Sequence, residues 1–250
     1  GGYGIDLTEE KSIEHASVPA ATAGKDPEAG KRASTYGEVT SIGVRQIGRA
    51  MGMDCLSCGA PIVFMDIGSG VGKFVAQAYL DWPAVVRSIG VELSTTRSAK
   101  AQEAWREATT LGDAKALRGA ALALTEGTDQ REPTESPAEP AESGVSFIQG
   151  DLFEADVQEV THVYAASLCF NEPMLRRVAR KLAAEAVKLE MVATLRRFPL
   201  GILGFEYAGS LEAEMSWTRS RGGGATVYLY RRHATKGSQH PTHSMPTEAT

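Results

Sequence analysis

The sequence predicts an α/β fold: an open, mainly parallel sheet with helices on both faces, finished by an antiparallel hairpin near the C-terminal end. Three observations carry this. Short apolar runs alternate with helical periodicity from Tyr36 onward, a glycine-rich turn joins the first run to a helix, and after Gly204 the alternation gives way to paired strand-like segments.

In order, Val44, Ile47 and Met51 fall at helical spacing, and the helix stops near Gly52. Pro61 introduces Ile62-Val63-Phe64-Met65, a continuous apolar run suited to a strand buried on both faces. A helix over Val71 to Asp81, a strand over Val85 to Val91, and a helix from Thr95 to about Leu111 with Ser94 as its N-cap follow. Strands at Val145 to Gln149, His162 to Ala165 and Leu189 to Thr194 flank a helix at Asn171 to Ala186. The hairpin is expected from Ala213 to Thr218 and Thr226 to Tyr230, joined by Gly222-Gly223-Gly224.

At 250 residues, 42% hydrophobic and 23% charged, the chain suits one domain with a substantial core. The catalytic domain is expected over 35–232, a flexible arm over 1–34 and an unfolded tail over 233–250. No stretch approaches the ~20 apolar residues that span a bilayer, and no membrane partner is expected. Three cysteines cannot all pair, and Cys55 and Cys58 have no second pair to complete a zinc site, so no metal and a reduced, intracellular, soluble setting are expected. The net charge is −5, and Glu126 to Glu142 alone carries six acids against Arg131. That stretch, rich in Pro, Glu, Thr and Ser, reads as a disordered insertion over about 125–144. The net charge of −5 argues against coating nucleic acid by bulk electrostatics, but outside that stretch the remainder is neutral, so the folded core is not acidic.

The chemistry centres on Asp66-Ile67-Gly68-Ser69-Gly70-Val71-Gly72, where a buried strand turns into a helix. Gly68, Gly70 and Gly72 let the backbone approach a ligand beside Ser69, and the helix N-terminus offers unpaired amides. Two phosphate-binding spellings fail. The dinucleotide fingerprint needs Gly or Ala where Lys73 stands, and the P-loop needs Gly at Ile67 and a hydroxyl at Phe74. Asp66 would repel a pyrophosphate and suits a cationic ligand. Glu92 closes the second strand, 26 positions on, where a carboxylate can take both ribose hydroxyls, although strand-end acids also cap loops. Asp151 closes the third, placed to accept from an adenine amino group while Leu152 or Phe153 covers the ring. Three acids along the carboxyl edge of the sheet point to S-adenosyl-L-methionine in a Rossmann-like site, and the layout is that of class I methyltransferases.

Tyr36-Gly37-Glu38-Val39-Thr40, Asp66 to Gly72, Gly90-Val91-Glu92, Gly150-Asp151, Ser167-Leu168-Cys169-Phe170 and Met215-Ser216-Trp217-Thr218, in that order, resemble the disruptor-of-telomeric-silencing family, the non-SET histone-lysine methyltransferases. The likeness spans Tyr36 to Tyr230 outside the insertion. It implies that Tyr36, Glu38 and Thr40 belong to a loop folding over the cofactor, with Glu38 near its methionine part; the plainer alternative is that Tyr36 and Glu38 start a helix. Where the family carries Asn-Asn after the fourth strand, this chain has Ala166 and Ser167. Ser167 can still make one hydrogen bond, and Phe170, Trp217 and Tyr228 are candidate walls of a lysine channel, or core residues. Such an apolar channel beside a sulfonium disfavours a charged amine, so no general base is required; His162 reads as structural.

The resemblance further implies a histone or nucleosome partner, a nuclear location and a basic element that meets the nucleosome. Candidates for weak backbone contact with nucleic acid are Arg176, Arg177, Arg180 and Lys181, Arg196 and Arg197, Arg219 and Arg221, or Arg231, Arg232 and Lys236, and the plainer alternative for each is a solvated face. The alternatives are a class I methyltransferase acting on a non-histone protein or small molecule, and a catalytically silent cofactor-binding module. The sequence carries no signal for oligomeric state.

Overall fold

The computed structural model describes residues 38–54, 60–112, 116, 118–119, 144–218 and 223–233. The expected arm and tail, Tyr36, the Cys55 and Cys58 pair, the acidic insertion up to residue 143, Arg219, Arg221 and Lys236 lie outside them.

The elements are α1 (Ser41–Ala50), β1 (Ile62–Ile67), α2 (Lys73–Asp81), β2 (Val85–Glu92), α3 (Thr95–Thr110), β3 (Gly144–Gln149), β4 (His162–Ala165), a 3-10 turn (Ser167–Cys169), α4 (Glu172–Glu185), β5 (Met191–Thr194), β6 (Phe205–Ala213) and β7 (Ala225–Arg232). One sheet runs in the order β3-β2-β1-β4-β5-β7-β6. The first five strands are parallel, β7 lies antiparallel to β5, and β6 antiparallel to β7.

Alternation along β1 divides the core. Val63, Met65 and Ile67 face α4, whose Leu175, Val178, Ala179 and Leu182 meet them with Phe198, Phe205 and Tyr230. Ile62 and Phe64 face the other way, toward Val44 and Ile47 of α1 and Phe74, Ala78 and Trp82 about α2. Burial on both faces is what the unbroken apolar run in β1 requires. The caps are side chains of the expected kind: Ser94 accepts from the Arg97 amide, and Asn171 from Met174.

Two expectations are corrected. Helix α2 begins at Lys73 rather than Val71, because Gly70 (φ +57°) and Gly72 (φ +79°) hold left-handed conformations that a right-handed helix cannot include. The hairpin's first strand is Phe205–Ala213, not Ala213 to Thr218. Its period is broken between Tyr207 and Gly209, where one extra residue shifts the register. Phe205 therefore packs with Phe198 in the α4-side core, whereas Leu211 and Ala213 join the α1-side core, so the apolar set changes face mid-strand. Residues 214–218 instead turn: Met215 bridges Val39, and Thr218 Oγ1 both donates to the Met215 carbonyl and accepts from its amide.

Helix α1 lies against this turn so closely that a Cβ on Gly43 would come 2.1 Å from the Glu214 carbonyl oxygen. Gly43→Ala should cost about 1–3 kcal/mol of stability, measured by urea unfolding, because backbone cannot yield as a side-chain tip can.

His162, at the opposite end of the sheet, is buried, with Nε2 on the Met51 carbonyl (3.2 Å) and Nδ1 beside the Thr161 hydroxyl (2.9 Å). Burial lowers its pKa to about 4, outweighing the carbonyl that favours its charged form. The unfolded chain, titrating near 6.5, therefore binds the proton first. This contribution to stability is fully present above pH ~6.5 and is lost as pH falls toward 4, by about 3 kcal/mol. Urea unfolding at pH 7 and pH 4 should show that His162→Gln removes this part of the acid sensitivity.

Candidate cofactor and acceptor site

Parallel strands align their carboxyl ends, so the residues closing β1, β2 and β3 share one edge. Asp66 is the penultimate residue of β1, 4% exposed, beside Gly90 of β2 and Tyr164 of β4. Burial, reinforced by the nearby Glu92 charge, holds its carboxyl well above the usual range, and Asp66 in turn adds to the upward push that burial gives Tyr164. Asp66 Oδ1 and the Ser69 hydroxyl are both buried without a hydrogen-bond partner. An orphaned buried acceptor costs about 1–3 kcal/mol. Two such groups in one crevice, one of them a carboxyl, suit a ligand that brings donors and positive charge.

Gly68, Gly70 and Gly72 all have positive φ, as the turn needs, and the third has a further task. A Cβ on Gly72 would stand 2.3 Å from the Phe147 ring, so Gly72 brings α2 onto β3. The Glu92 carboxylate holds the turn from the other side: Oε2 accepts the Gly70 amide (2.8 Å) and Oε1 the Ser94 amide (2.9 Å). Each oxygen retains a second lone pair. Asp151 Oδ1 accepts the Phe153 amide (2.9 Å), closing the turn that carries Leu152 and Phe153, both half-buried. Arg177 of α4 lies over the Phe153 ring, 3.5 Å from its centre, a cation–π contact that fixes this wall.

Glu38 reaches the glycine turn from outside it, its carboxylate paired with Lys73. Thr40 caps α1, accepting the Gly43 amide (3.1 Å) and donating to the Glu214 carbonyl (3.1 Å). Ser167 is fully buried and accepts the Arg196 amide (3.0 Å), while Thr194 donates to the Arg196 carbonyl (2.7 Å); together they clamp the loop after β5 to the loop after β4. Phe170 follows the 3-10 turn, and Tyr228 pairs with Thr194 at the carboxyl end of β5; both are half-buried against the α4-side core. Trp217, 38% exposed, stands beyond the carboxyl end of β6 on the same edge.

Lys73, Ser216 and the Thr194–Arg196 clamp were not among the expected site residues. Lys73 entered the sequence argument only as a misspelt glycine, and its partner lies 35 positions away. The expected basic clusters are largely engaged within the fold. Arg176 pairs with Glu172, Lys181 with Glu185, Arg196 donates to the Phe170 carbonyl, and Arg232 to the Ala183 and Ala186 carbonyls. A cavity of about 580 Å³ lined by Arg49, His162, Glu190 and Arg231 opens on the opposite edge of the sheet.

A seven-stranded sheet of this order, with a glycine turn after β1 and acids closing β1, β2 and β3, defines a class I methyltransferase. The family model "Histone methylation protein DOT1" matches residues 16–168, more than half of the chain, and the chain belongs to that family. It is accordingly a methyltransferase whose cofactor is S-adenosylmethionine. No curated protein matches. Among solved structures, it is similar to an RNA methyltransferase from Salinibacter ruber in complex with S-adenosyl-L-homocysteine (22% identity, 77% of this chain and 91% of that one, TM-score 0.46). A magnesium protoporphyrin IX methyltransferase from Synechocystis PCC 6803 with bound S-adenosylmethionine is similar at 12% identity, 93% and 100% coverage and TM-score 0.48. At these values neither bears on the acceptor. Among the described residues, no helix is long and apolar enough to cross a membrane.

Proposed function

We propose that the chain transfers a methyl group to a lysine of a histone within nucleosomes, with residues 35–232 as the catalytic domain and a nuclear location. Membership of the histone methylation family is the observation that carries this reading. The residues fit the cofactor in charge and in hydrogen bonding. Asp66 and Glu38 would hold its amino acid end at the turn formed by Gly68, Ser69, Gly70 and Gly72; Glu92 would take the ribose through its remaining lone pairs; Asp151, Leu152 and Phe153 would hold the adenine. When bound, S-adenosylmethionine supplies an electrophilic methyl group.

Phe170, Tyr228 and Trp217 would form the acceptor wall. An apolar wall disfavours the charged form of a lysine amine, so the side chain reaches the site as the neutral nucleophile without a dedicated base. Ser167 acts here by holding the two loops in register through Arg196, since its hydroxyl accepts that amide. Arg180 and Arg231, both at the surface, and Arg197, which lies over Tyr207, would meet the acidic nucleosome surface or the DNA backbone.

The test is methyl transfer from radiolabelled S-adenosylmethionine to intact nucleosomes and to free histones, with the label located by peptide mass spectrometry. Label on a core lysine of histone three, stronger with nucleosomes, is expected. Cofactor binding with no label on any histone would overturn the acceptor assignment.

A further inference from the structure

Residues 38–40 connect two parts of the carboxyl edge, the glycine turn and the turn at 214–218. On one side the Glu38 carboxylate pairs with Lys73, the residue after the last glycine of the turn. On the other, both backbone groups of Glu38 are used by one residue: its amide donates to Ser216 Oγ (3.1 Å), and its carbonyl accepts the Ser216 amide (2.8 Å). Val39 bridges Met215, and the Thr40 amide and hydroxyl both reach the Glu214 carbonyl. Met215 is fully buried and Thr218 closes the turn on itself, so Trp217 stands between two anchored neighbours.

We propose that Lys73, Glu38 and Ser216 form a strap through which occupancy of the cofactor crevice is transmitted to the turn carrying Trp217, with Lys73 and Ser216 as positioning residues. The inference rests on the cofactor reading of the crevice and on Trp217 as an acceptor wall. A surface ion pair adds little to global stability, and Lys73 is more than half exposed. Its value is placement: it holds Glu38 over the glycine turn, so that a ligand gripping Glu38 also stiffens the strand pairing at 214–216. The path has three links, Lys73 to Glu38, Glu38 to Ser216 and Ser216 to Trp217. The enzyme therefore organises its acceptor wall after the cofactor is in place, which orders the binding of the two substrates.

Hydrogen exchange read by mass spectrometry on the whole chain, with and without saturating S-adenosylhomocysteine, tests this. In the wild type, ligand should slow exchange both in 68–72 and in 214–218, the latter at least fivefold. In Lys73→Met, protection of 68–72 should remain while that of 214–218 falls below twofold. Lys73→Arg should restore it, and Ser216→Ala should weaken it without touching 68–72. In steady-state transfer assays Lys73→Met should raise the acceptor KM severalfold with kcat nearly unchanged. Undiminished protection of 214–218 in Lys73→Met, or none there in the wild type despite protected 68–72, overturns the strap alone. Absence of ligand protection at 68–72 in the wild type would instead overturn the cofactor reading beneath it.

Discussion

Asp66→Asn should make the ligand-free chain more stable at neutral pH and at the same time weaken S-adenosylmethionine binding about tenfold or more. The wild-type carboxyl is buried, its pKa raised by burial and by Glu92, and one of its oxygens has no partner. With the folded pKa above the unfolded one, the stability it contributes is present below about pH 4 and is lost as pH rises toward the raised value. Asparagine cannot ionise and removes that penalty, so the gap in thermal midpoint between variant and wild type should widen over the same interval and then level. The affinity should move oppositely, because a hydrogen bond between charged partners contributes about 1.5–3 kcal/mol and a neutral amide loses most of it. A ligand ammonium favours ionised Asp66, so binding below the raised pKa should also release a proton, visible as a buffer-dependent enthalpy in calorimetry. A variant less stable than wild type yet binding equally well would place Asp66 in the scaffold alone.

Gly70→Arg should have the larger effect on binding, taking cofactor affinity below detection. Gly70 is buried, left-handed in φ, and gives its amide to Glu92, so it sits at the floor of the crevice, where any long side chain fills it. The backbone penalty for a non-glycine residue at this φ is about 1–2 kcal/mol, small enough for the fold to persist. Circular dichroism should therefore stay close to wild type while calorimetry shows no binding heat. Unchanged affinity would remove the glycine turn from the site.

How much of this was legible in the sequence depends on how local the physics is. Strand β1 and the turn after it announce themselves because an apolar run, an acid and alternating glycines adjoin, and Ser94 and Asn171 cap their helices through bonds to amides three residues on. The acids at the ends of β2 and β3 were legible as acids, but not that both Glu92 oxygens already hold the loop. Thr40 reads as part of a cofactor loop, and the bond that also makes it the cap of α1 was not legible there. Ser167 looked like a weakened substrate ligand, whereas its partner is the backbone of Arg196, 29 positions away. Lys73 carried no local signal at all. Strand β6 was misplaced because the period of two that marks a strand fails where an extra residue intervenes.

That extra residue has a consequence for how the molecule behaves among its own copies. Strand β6 is one of the two outermost strands of the sheet, and a long flat border of unpaired amides and carbonyls is a template on which another extended chain can grow. The irregularity between Tyr207 and Gly209 bends that border midway, and Glu206 and Glu212 add like charges at either side of the bend. A second copy cannot zip along it for more than a few residues before the hydrogen-bonding groups fall out of step, so the defect that hid the strand from its sequence also guards this border against fibril-like association.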